Sequence, residues 1–208
     1  MMLQAAVNGD FSKADHPAVP VTEDELIRDV RACLAAGARE FHIHVRDADG
    51  HPTLEPGPVN RAVSAVRAAG AQAAGVTTLA DIEPSLQRRL ALISRWTQPA
   101  YSSVNLCEEG AVEVMRTLLA AGIGIEAGVW TPQDAEALVT CGLAHRVTRV
   151  LVEPGEAQAG QDDAMPMVDA IHEILDHADV KAPRLQHGDG ELTWTARCGG
   201  WSGGGCLS

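Results

Sequence analysis

Lysine is nearly absent from this chain, which contains only Lys13 and Lys181. Acidic residues outnumber basic ones by 28 to 16, and the formal net charge is −12. A surface of this sign repels polyanions, so nucleic acids and anionic membranes are poor candidates as partners. Neither lysine lies at the end of a predicted strand, which also disfavours an aldolase that acts through a Schiff base.

Long apolar runs and paired-cysteine motifs are missing as well. No segment approaches the ~18 uninterrupted apolar residues of a membrane span, and the first ten residues lack the basic region of a secretory signal. We therefore expect a soluble, cytoplasmic protein. The five cysteines are odd in number and show no C-x-x-C spacing, so neither a disulfide framework nor a cysteine zinc site is indicated. We interpret Cys33, Cys107 and Cys141 as buried apolar residues.

The most informative stretch is residues 41–47, which combines a strand pattern with two histidines. Ile43 and Val45 alternate with His42 and His44. Because successive strand side chains point to opposite faces, both imidazoles project from one face, about 6.5 to 7 Å apart along the chain. A single histidine on a strand is more often structural, but two on one face can hold a metal ion. The pattern predicts a metal site, and a zinc site needs a third protein ligand from elsewhere.

A repeated order of elements organises the rest of the chain. The first helix, which should begin at the capping box Thr22 to Glu25, ends in Ala-Ala-Gly before the histidine strand, and two later helices end in the same way. Thr131 followed by Pro132 indicates a further helix start. Strands are predicted at residues 3–7, 41–47, 72–78, 101–106, 123–129, 147–152 and 183–190, and the helices after the first at 59–69, 84–94, 111–121, from 131, and at 165–177.

Seven strands that alternate with six helices require a mostly parallel sheet with right-handed crossovers. A doubly wound sheet typically carries a glycine-rich phosphate loop after its first strand, and the segment from Asn8 to Ser12 does not match one. A (β/α)₈ barrel instead collects polar residues at the carboxyl ends of many strands. The predicted strand ends carry such residues: Asn8, Asp10, His42, His44, Thr77, Ser103, Asn105, Glu126, Glu153 and His187. We therefore predict an α/β fold of the (β/α)₈ TIM-barrel type.

The end of the chain does not continue this pattern. A closed barrel needs a further helix, strand and helix after Gly190, and about 18 residues cannot supply them. The last residues are rich in glycine, contain two cysteines and show no amphipathic period. We expect a barrel domain over residues 1–194 that lacks the eighth strand and last helices, followed by an aberrant, disordered tail at 195–208. A frameshift or an early stop would explain such a tail.

Two stretches of the chain resemble a known family. Residues 13–22 and 42–50, the second reading His-Ile-His-Val-Arg-Asp-Ala-Asp-Gly, are similar to the β-keto acid cleavage enzymes, and the likeness extends over residues 3–194. The resemblance implies a zinc-dependent TIM barrel that condenses a β-keto acid with acetyl-CoA and splits the adduct into acetoacetate and a new CoA thioester. It also implies a homo-oligomer built through barrel helices.

The resemblance assigns roles to particular residues. His42 and His44 would be zinc ligands, Thr77 would touch the substrate, and Ser103 with Asn105 would bind substrate oxygens. Each of these last three side chains could instead be a buried group that is hydrogen-bonded to the backbone.

A second group of residues is implied to take part in the reaction itself. Glu126 matches a carboxylate on the fifth strand of the barrel mouth, and Asp10 is the nearest counterpart of an acidic residue in the first loop. With Ser103, these two form the predicted catalytic set. Arg46 is expected to support the end of the histidine strand by pairing with Asp47.

The family's third zinc ligand is a glutamate on the eighth strand, in a motif that this sequence lacks. Without this glutamate the metal would be held weakly, unless Glu126, Glu153 or His187 served as the third ligand. Since the missing motif also carries the family's acid/base residues, we expect little or no cleavage activity if this chain is the whole protein. Two alternatives stay open: another divalent-metal barrel enzyme, a hydrolase or aldolase, or a decayed barrel without catalytic activity. The sequence does not name the β-keto acid.

Overall fold

One curled parallel sheet forms the centre of the molecule. The computed structural model describes residues 3–154 and 164–187 and the backbone of 206–207. The strands follow one another in chain order, and all neighbours are parallel. They are β1 (Gln4–Ala6), β2 (Glu40–Ile43), β3 (Ala73–Thr77), β4 (Tyr101–Asn105), β5 (Gly124–Val129), β6 (Arg149–Val152), β7 (Arg184–Gln186) and β8 (Cys206–Leu207).

The first seven strands alternate with helices, which confirms the predicted barrel-type fold. The two-residue strand β8 pairs with β7 at the outer edge of the sheet, and in the described part of the chain β8 and β1 are not paired with each other. The sheet is therefore a curled, open barrel. The prediction of a disordered tail falls outside the described residues, apart from the backbone of β8.

In the described ranges, six α-helices and one short 3₁₀ helix connect the strands. The α-helices are α1 (Glu23–Ala35), α2 (Pro56–Ala68), α3 (Leu86–Ile93), α4 (Ala111–Ala120), α5 (Pro132–Thr140) and α6 (Met165–His177). The prediction placed the start of α2 at residue 59, but the helix begins at Pro56, because proline is well tolerated in the first turn. The prediction placed the start of β6 at residue 147, but the 3₁₀ helix Ala144–Arg146 precedes it and the strand begins at Arg149.

Local signals in the sequence account for the helix ends. The Thr22 hydroxyl accepts from the Glu25 amide at 3.3 Å, and the Glu25 carboxylate accepts from the Thr22 amide at 3.0 Å, which completes a capping box. Thr131 and Asp134 form the same arrangement at α5. The glycines that follow α1, α2 and α4 have φ values of +109°, +114° and +75°, so they end the helices in the left-handed conformation that glycine adopts readily.

The apolar core lies between the outer face of the sheet and the helices. Phe41 and Ile43 of β2 and Ile125 of β5 are fully buried there. The interpretation of the cysteines was partly wrong: Cys107 is exposed, and Cys33 and Cys141 are only half-buried. Cys33 and Cys141 lie at the carboxyl ends of α1 and α5, and Cys107 lies in the turn between β4 and α4, near the surface in each case. None of the helices in the described ranges is long and apolar enough to cross a membrane.

The inner face of the sheet is polar. The Gln4 amide on β1 lies 3.3 Å from the Glu126 carboxylate on β5, although β2, β3 and β4 lie between these strands in the sheet. Only a strongly curled sheet brings them together. The inner face is also crowded, because a Cβ atom at Gly75 of β3 would lie 2.1 Å from the ring of Tyr101 on β4. Polar side chains from non-adjacent strands therefore meet inside the barrel.

Candidate active site

Two histidines converge at the carboxyl end of β2. His42 belongs to the strand and His44 follows it directly. Their Nε2 atoms lie 3.1 Å apart, and their ring centroids are separated by 5.1 Å with an angle of 61° between the planes. His44 is buried and His42 is half-buried. The two imidazoles thus share one face of β2, as the alternation of the sequence indicates.

A carboxylate lies beside the other nitrogen of each ring. The Asp10 Oδ1 atom is 2.9 Å from His44 Nδ1, and the Glu126 Oε1 atom is 3.7 Å from His42 Nδ1. A carboxylate accepts hydrogen bonds, so each favours the imidazole tautomer that carries its proton on Nδ1. In that tautomer both Nε2 atoms would present lone pairs toward each other, an arrangement that needs a cation between them; without a cation, one Nε2 would carry a proton and donate it to the other across 3.1 Å.

The charge states of these groups follow from their surroundings. Burial lowers the pKa of His44, although the nearby Asp10 opposes this effect. The close approach of the His44 imidazole in turn lowers the pKa of Asp10. Burial alone would raise the pKa of Glu126, but the contacts with His42 and Arg149 outweigh it and the pKa is lowered. At neutral pH, therefore, both carboxylates are ionised and His44 is neutral.

Asn8 fixes the main chain at His44. The Asn8 side-chain oxygen accepts from the His44 amide at 2.9 Å, and its amide nitrogen donates to the His44 carbonyl at 2.8 Å and to that of Pro20 at 3.3 Å. Asn8 is buried. These bonds substitute for sheet pairing at the point where β1 has already ended, so they hold His44 in place beyond the strand.

Arg46 joins the histidine strand to the loop that carries Asp10. It donates to the carbonyl oxygens of Gly9 at 3.2 Å, Phe11 at 2.5 Å and Gly50 at 3.3 Å. The predicted support of the strand end is therefore present, but the predicted partner was wrong. Asp47 instead accepts from backbone amides in its own turn, which is a closer source of donors than the arginine.

A buried polar network lies behind Glu126, which is itself fully buried. Its Oε2 atom accepts from Arg149 Nε at 2.5 Å and from Gln4 Nε2 at 3.3 Å. Arg149 also forms an ion pair with Glu40, and its guanidinium lies 4.2 Å above the ring of Tyr101. The Tyr101 hydroxyl accepts from Gln4 at 2.8 Å and donates to the Phe41 carbonyl at 3.1 Å.

Sequence reasoning missed Gln4, Glu40, Tyr101 and Arg149. A signal for two of them was present in the sequence: a polar or aromatic residue that lies two positions before a recognised site residue on the same strand. Glu40 precedes His42 by two residues, and Tyr101 precedes Ser103 by two. Strand alternation then places each on the inner face.

The predicted substrate residues lie on neighbouring strands. Thr77, Ser103 and Glu126 are direct partners across β3, β4 and β5, and all three are buried. Asn105 lies two residues after Ser103 on β4, and its side-chain amide donates a hydrogen bond to the Glu108 carboxylate at 3.0 Å. The Asn105 amide is therefore bonded to a carboxylate, not to the backbone.

In the described part of the chain, the three possible third ligands, Glu126, Glu153 and His187, do not group with both histidines. Glu153 and His187 lie 3.4 Å from each other at the ends of β6 and β7. Among the described residues, no third histidine, cysteine or acidic side chain forms a group with His42 and His44 in which all ligand atoms lie within 4.8 Å of one another. Asp47, Asp49 and His51 do form such a group, on an exposed turn.

The two histidines nevertheless suit a metal. Tetrahedral zinc with bonds of about 2.0 to 2.1 Å places two ligand nitrogens about 3.3 Å apart, and the observed separation is 3.1 Å. The separation of the two nitrogens is therefore compatible with two corners of a tetrahedral metal site.

Comparison with known sequences gives a family match. The sequence model of a family described as beta-keto acid cleavage enzyme matches residues 1–165. One relative, a 3-keto-5-aminohexanoate cleavage enzyme from Fusobacterium nucleatum subsp. nucleatum, is 35% identical over 68 residues, which cover 32% of this chain and 25% of the relative. A 3-oxoadipate:acetyl-CoA acetyltransferase from Cupriavidus necator is 36% identical over 67 residues, or 32% and 24% of the two chains. The matches thus span about a quarter of each relative.

Solved structures show the same fold at low sequence identity. The N-acetylmannosamine-6-phosphate 2-epimerase from Clostridium perfringens has a TM-score of 0.60 and is 10% identical, with 99% of this chain and 84% of the epimerase covered. A mandelate racemase/muconate lactonizing protein from Herpetosiphon aurantiacus has a TM-score of 0.55 and is 11% identical, with 90% and 46% covered. These likenesses concern the fold alone.

Proposed function

The chain belongs to the beta-keto acid cleavage enzyme family, and from this premise we propose that it is a metal-dependent enzyme that uses acetyl-CoA to cleave a β-keto acid. The reaction would give acetoacetate and a new acyl-CoA. The names of two relatives, a cleavage enzyme and an acetyl-CoA acetyltransferase, support this class of reaction. The observation that carries the proposal is the pair of Nε2 atoms 3.1 Å apart, each ring backed by a carboxylate.

His42 and His44 would hold the metal, and we propose zinc. When bound, the ion would supply a Lewis acid that stabilises negative charge on the keto oxygen of the substrate during carbon attack. The chain's contribution is to keep both rings in the tautomer that leaves Nε2 available. Asp10 does this for His44 and Glu126 does it for His42, as carboxylates commonly do behind metal-bound imidazoles.

The two carboxylates differ in their access to substrate. Glu126 is fully buried and ion-paired with Arg149, so we assign it to positioning His42 rather than to proton transfer. The side chain of Asp10 is 76% exposed at the barrel mouth, and its lowered pKa keeps it ionised. Asp10 is therefore the described carboxylate that can accept a proton from bound substrate. Thr77, Ser103 and Asn105 would donate hydrogen bonds to substrate oxygens.

The first test is the zinc content of the purified 208-residue chain, measured by inductively coupled plasma mass spectrometry. With Zn²⁺ present in the buffer we expect up to one zinc per chain, held weakly because the described residues supply two ligands, and loss of that zinc in the double variant His42→Ala/His44→Ala. The matched control is His16→Ala/His145→Ala, which removes two exposed histidines and should leave the zinc content unchanged. A folded wild-type chain that binds no metal would refute the proposed function.

The second test is turnover. The chain is incubated with acetyl-CoA and a panel of β-keto acids that includes 3-oxoadipate and 3-keto-5-aminohexanoate, and acetoacetate and acyl-CoA are measured by mass spectrometry. We expect both products in equal amounts, with loss of at least ~100-fold in rate after Asp10→Asn. Stoichiometric zinc without products from any substrate would instead favour a different divalent-metal barrel enzyme.

A further inference from the structure

Glu126 uses its two oxygens differently. Both described donors, Arg149 and Gln4, bond to Oε2. The Oε1 atom is buried without a hydrogen bond in the described part of the chain, and it faces His42 Nδ1 at 3.7 Å. Two donors on one oxygen fix the rotation of the carboxylate, so the other oxygen is held toward β2. A buried carboxylate oxygen without a donor is costly, and the imidazole N–H of His42 is the group that can reach it.

We propose that Arg149, assisted by Gln4, is a positioning residue for His42: it orients Glu126 so that the free oxygen selects the Nδ1–H tautomer and leaves Nε2 for the metal. Arg149 acts through Glu126 and does not itself touch the metal or the substrate. The inference rests on the proposed function only in treating His42 as a metal ligand.

Arginine suits this role because its planar guanidinium can donate hydrogen bonds in several directions while its flat face packs on an aromatic ring. Its Nε bonds to Glu126 on β5, and its Nη1 forms an ion pair with Glu40 on β2, two residues before His42. Its face lies over the ring of Tyr101. Arg149 thus connects the strand that carries Glu126 to the strand that carries His42. A lysine ammonium has neither the fork nor the flat face needed to make these contacts together.

A purely structural role makes a different prediction. If Arg149 only neutralised the carboxylates of Glu126 and Glu40, its replacement would lower stability without changing the His42 tautomer. The tautomer can be measured directly in the metal-free protein, by ¹⁵N nuclear magnetic resonance of labelled histidine, with the His42 signals assigned from a His42→Asn variant. This measurement requires neither metal nor turnover.

The test compares Arg149→Lys, Gln4→Met and Glu126→Gln with wild type. We expect the Nδ1–H share of His42 to be larger in wild type than in each variant, where the Nε2–H share should rise. Affinity for Zn²⁺ alone, measured by competition with a chelator, should fall by about 10 to 100-fold, the usual effect of losing a partner behind a metal-bound histidine. In the Glu126→Gln background, Arg149→Lys should have no further effect on tautomer or affinity.

The matched control is Arg184→Gln on β7. Arg184 is also buried and ion-paired, with Asp176, but its contacts are with α6 on the other face of the sheet. It should lower the melting temperature and leave the His42 tautomer unchanged. If Arg149→Lys does not fold, Gln4→Met removes the second donor to the same oxygen without leaving a buried charge and decides the question.

Two results would overturn the inference. One is an unchanged His42 tautomer in folded Arg149→Lys or Gln4→Met, and the other is an equal loss of zinc affinity with and without Glu126. Failure of the proposed function is recognised separately. A wild-type chain without metal affinity would refute that function, while the tautomer measurement in the metal-free protein would still confirm or refute the role of Arg149.

Discussion

Gly75 leaves the space that the ring of Tyr101 occupies inside the barrel, so Gly75→Ala should be strongly destabilising. The new Cβ would lie 2.1 Å from Cε2, 2.7 Å from Cδ2 and 2.8 Å from Cζ of that ring. Because carbon atoms pack at about 3.5 to 4.0 Å, the ring would have to move by about 1.5 Å. Tyr101 is 3% exposed, and the guanidinium of Arg149 lies 4.2 Å from the centre of its ring.

Movement of the ring would also break its hydrogen bonds. The Tyr101 hydroxyl is tied to Gln4 at 2.8 Å and to the Phe41 carbonyl at 3.1 Å. Overpacking costs about 1 to 3 kcal/mol, and each lost bond adds about 1 kcal/mol. We therefore expect a loss of about 3 to 5 kcal/mol in the free energy of unfolding, or a decrease of roughly 10 °C in Tm.

Urea unfolding followed by far-ultraviolet circular dichroism measures this loss. The matched control is Gly57→Ala on α2, where the new Cβ would lie no closer than 3.5 Å to another residue and a helix former replaces glycine; it should be neutral or stabilising by up to about 1 kcal/mol. In a Tyr101→Leu background, Gly75→Ala should cost less than about 1 kcal/mol. An equal cost of Gly75→Ala in both backgrounds would refute the steric explanation.

The remaining predictions concern the histidine loop and the first helix. Asn8→Leu should lower the free energy of unfolding by about 2 to 4 kcal/mol, because it leaves the buried amide and carbonyl of His44 without partners; urea unfolding checks this, and a loss below about 0.5 kcal/mol would contradict it. Hydrogen bonds from Lys13 and from backbone amides lower the pKa of Glu25 from 4.5 to about 2. Because this pKa is depressed on folding, Glu25 stabilises the fold above its unfolded pKa and loses this contribution as the pH falls through the folded one. The stability advantage of wild type over Glu25→Gln, about 1 kcal/mol for an exposed cap, should be constant above about pH 5.5 and decline toward pH 2. Urea titrations at several pH values test this, with exposed Glu113→Gln as the control; an advantage that does not change with pH would contradict it.

The sequence by itself determined the order and type of the helices and strands. It also determined that His42 and His44 lie on the same face of one strand. Helix ends depend on contacts within one turn, so the capping box at Thr22 and the glycines after three helices were readable without tertiary information. Strand alternation likewise placed His42 and His44 on one face, because that rule acts between residues two apart.

Only the tertiary structure decided what surrounds the two rings. The partners of Glu126 come from β1 and β6, separated from it by 122 and 23 residues along the chain. Asp10 reaches His44 through a loop that Arg46 ties down. Such contacts depend on how strongly the sheet curls and on which inner side chains are absent, as at Gly75, and no local pattern encodes either property. The sequence could name the histidine pair, but the carboxylates that lie beside it are brought there by the curl of the sheet.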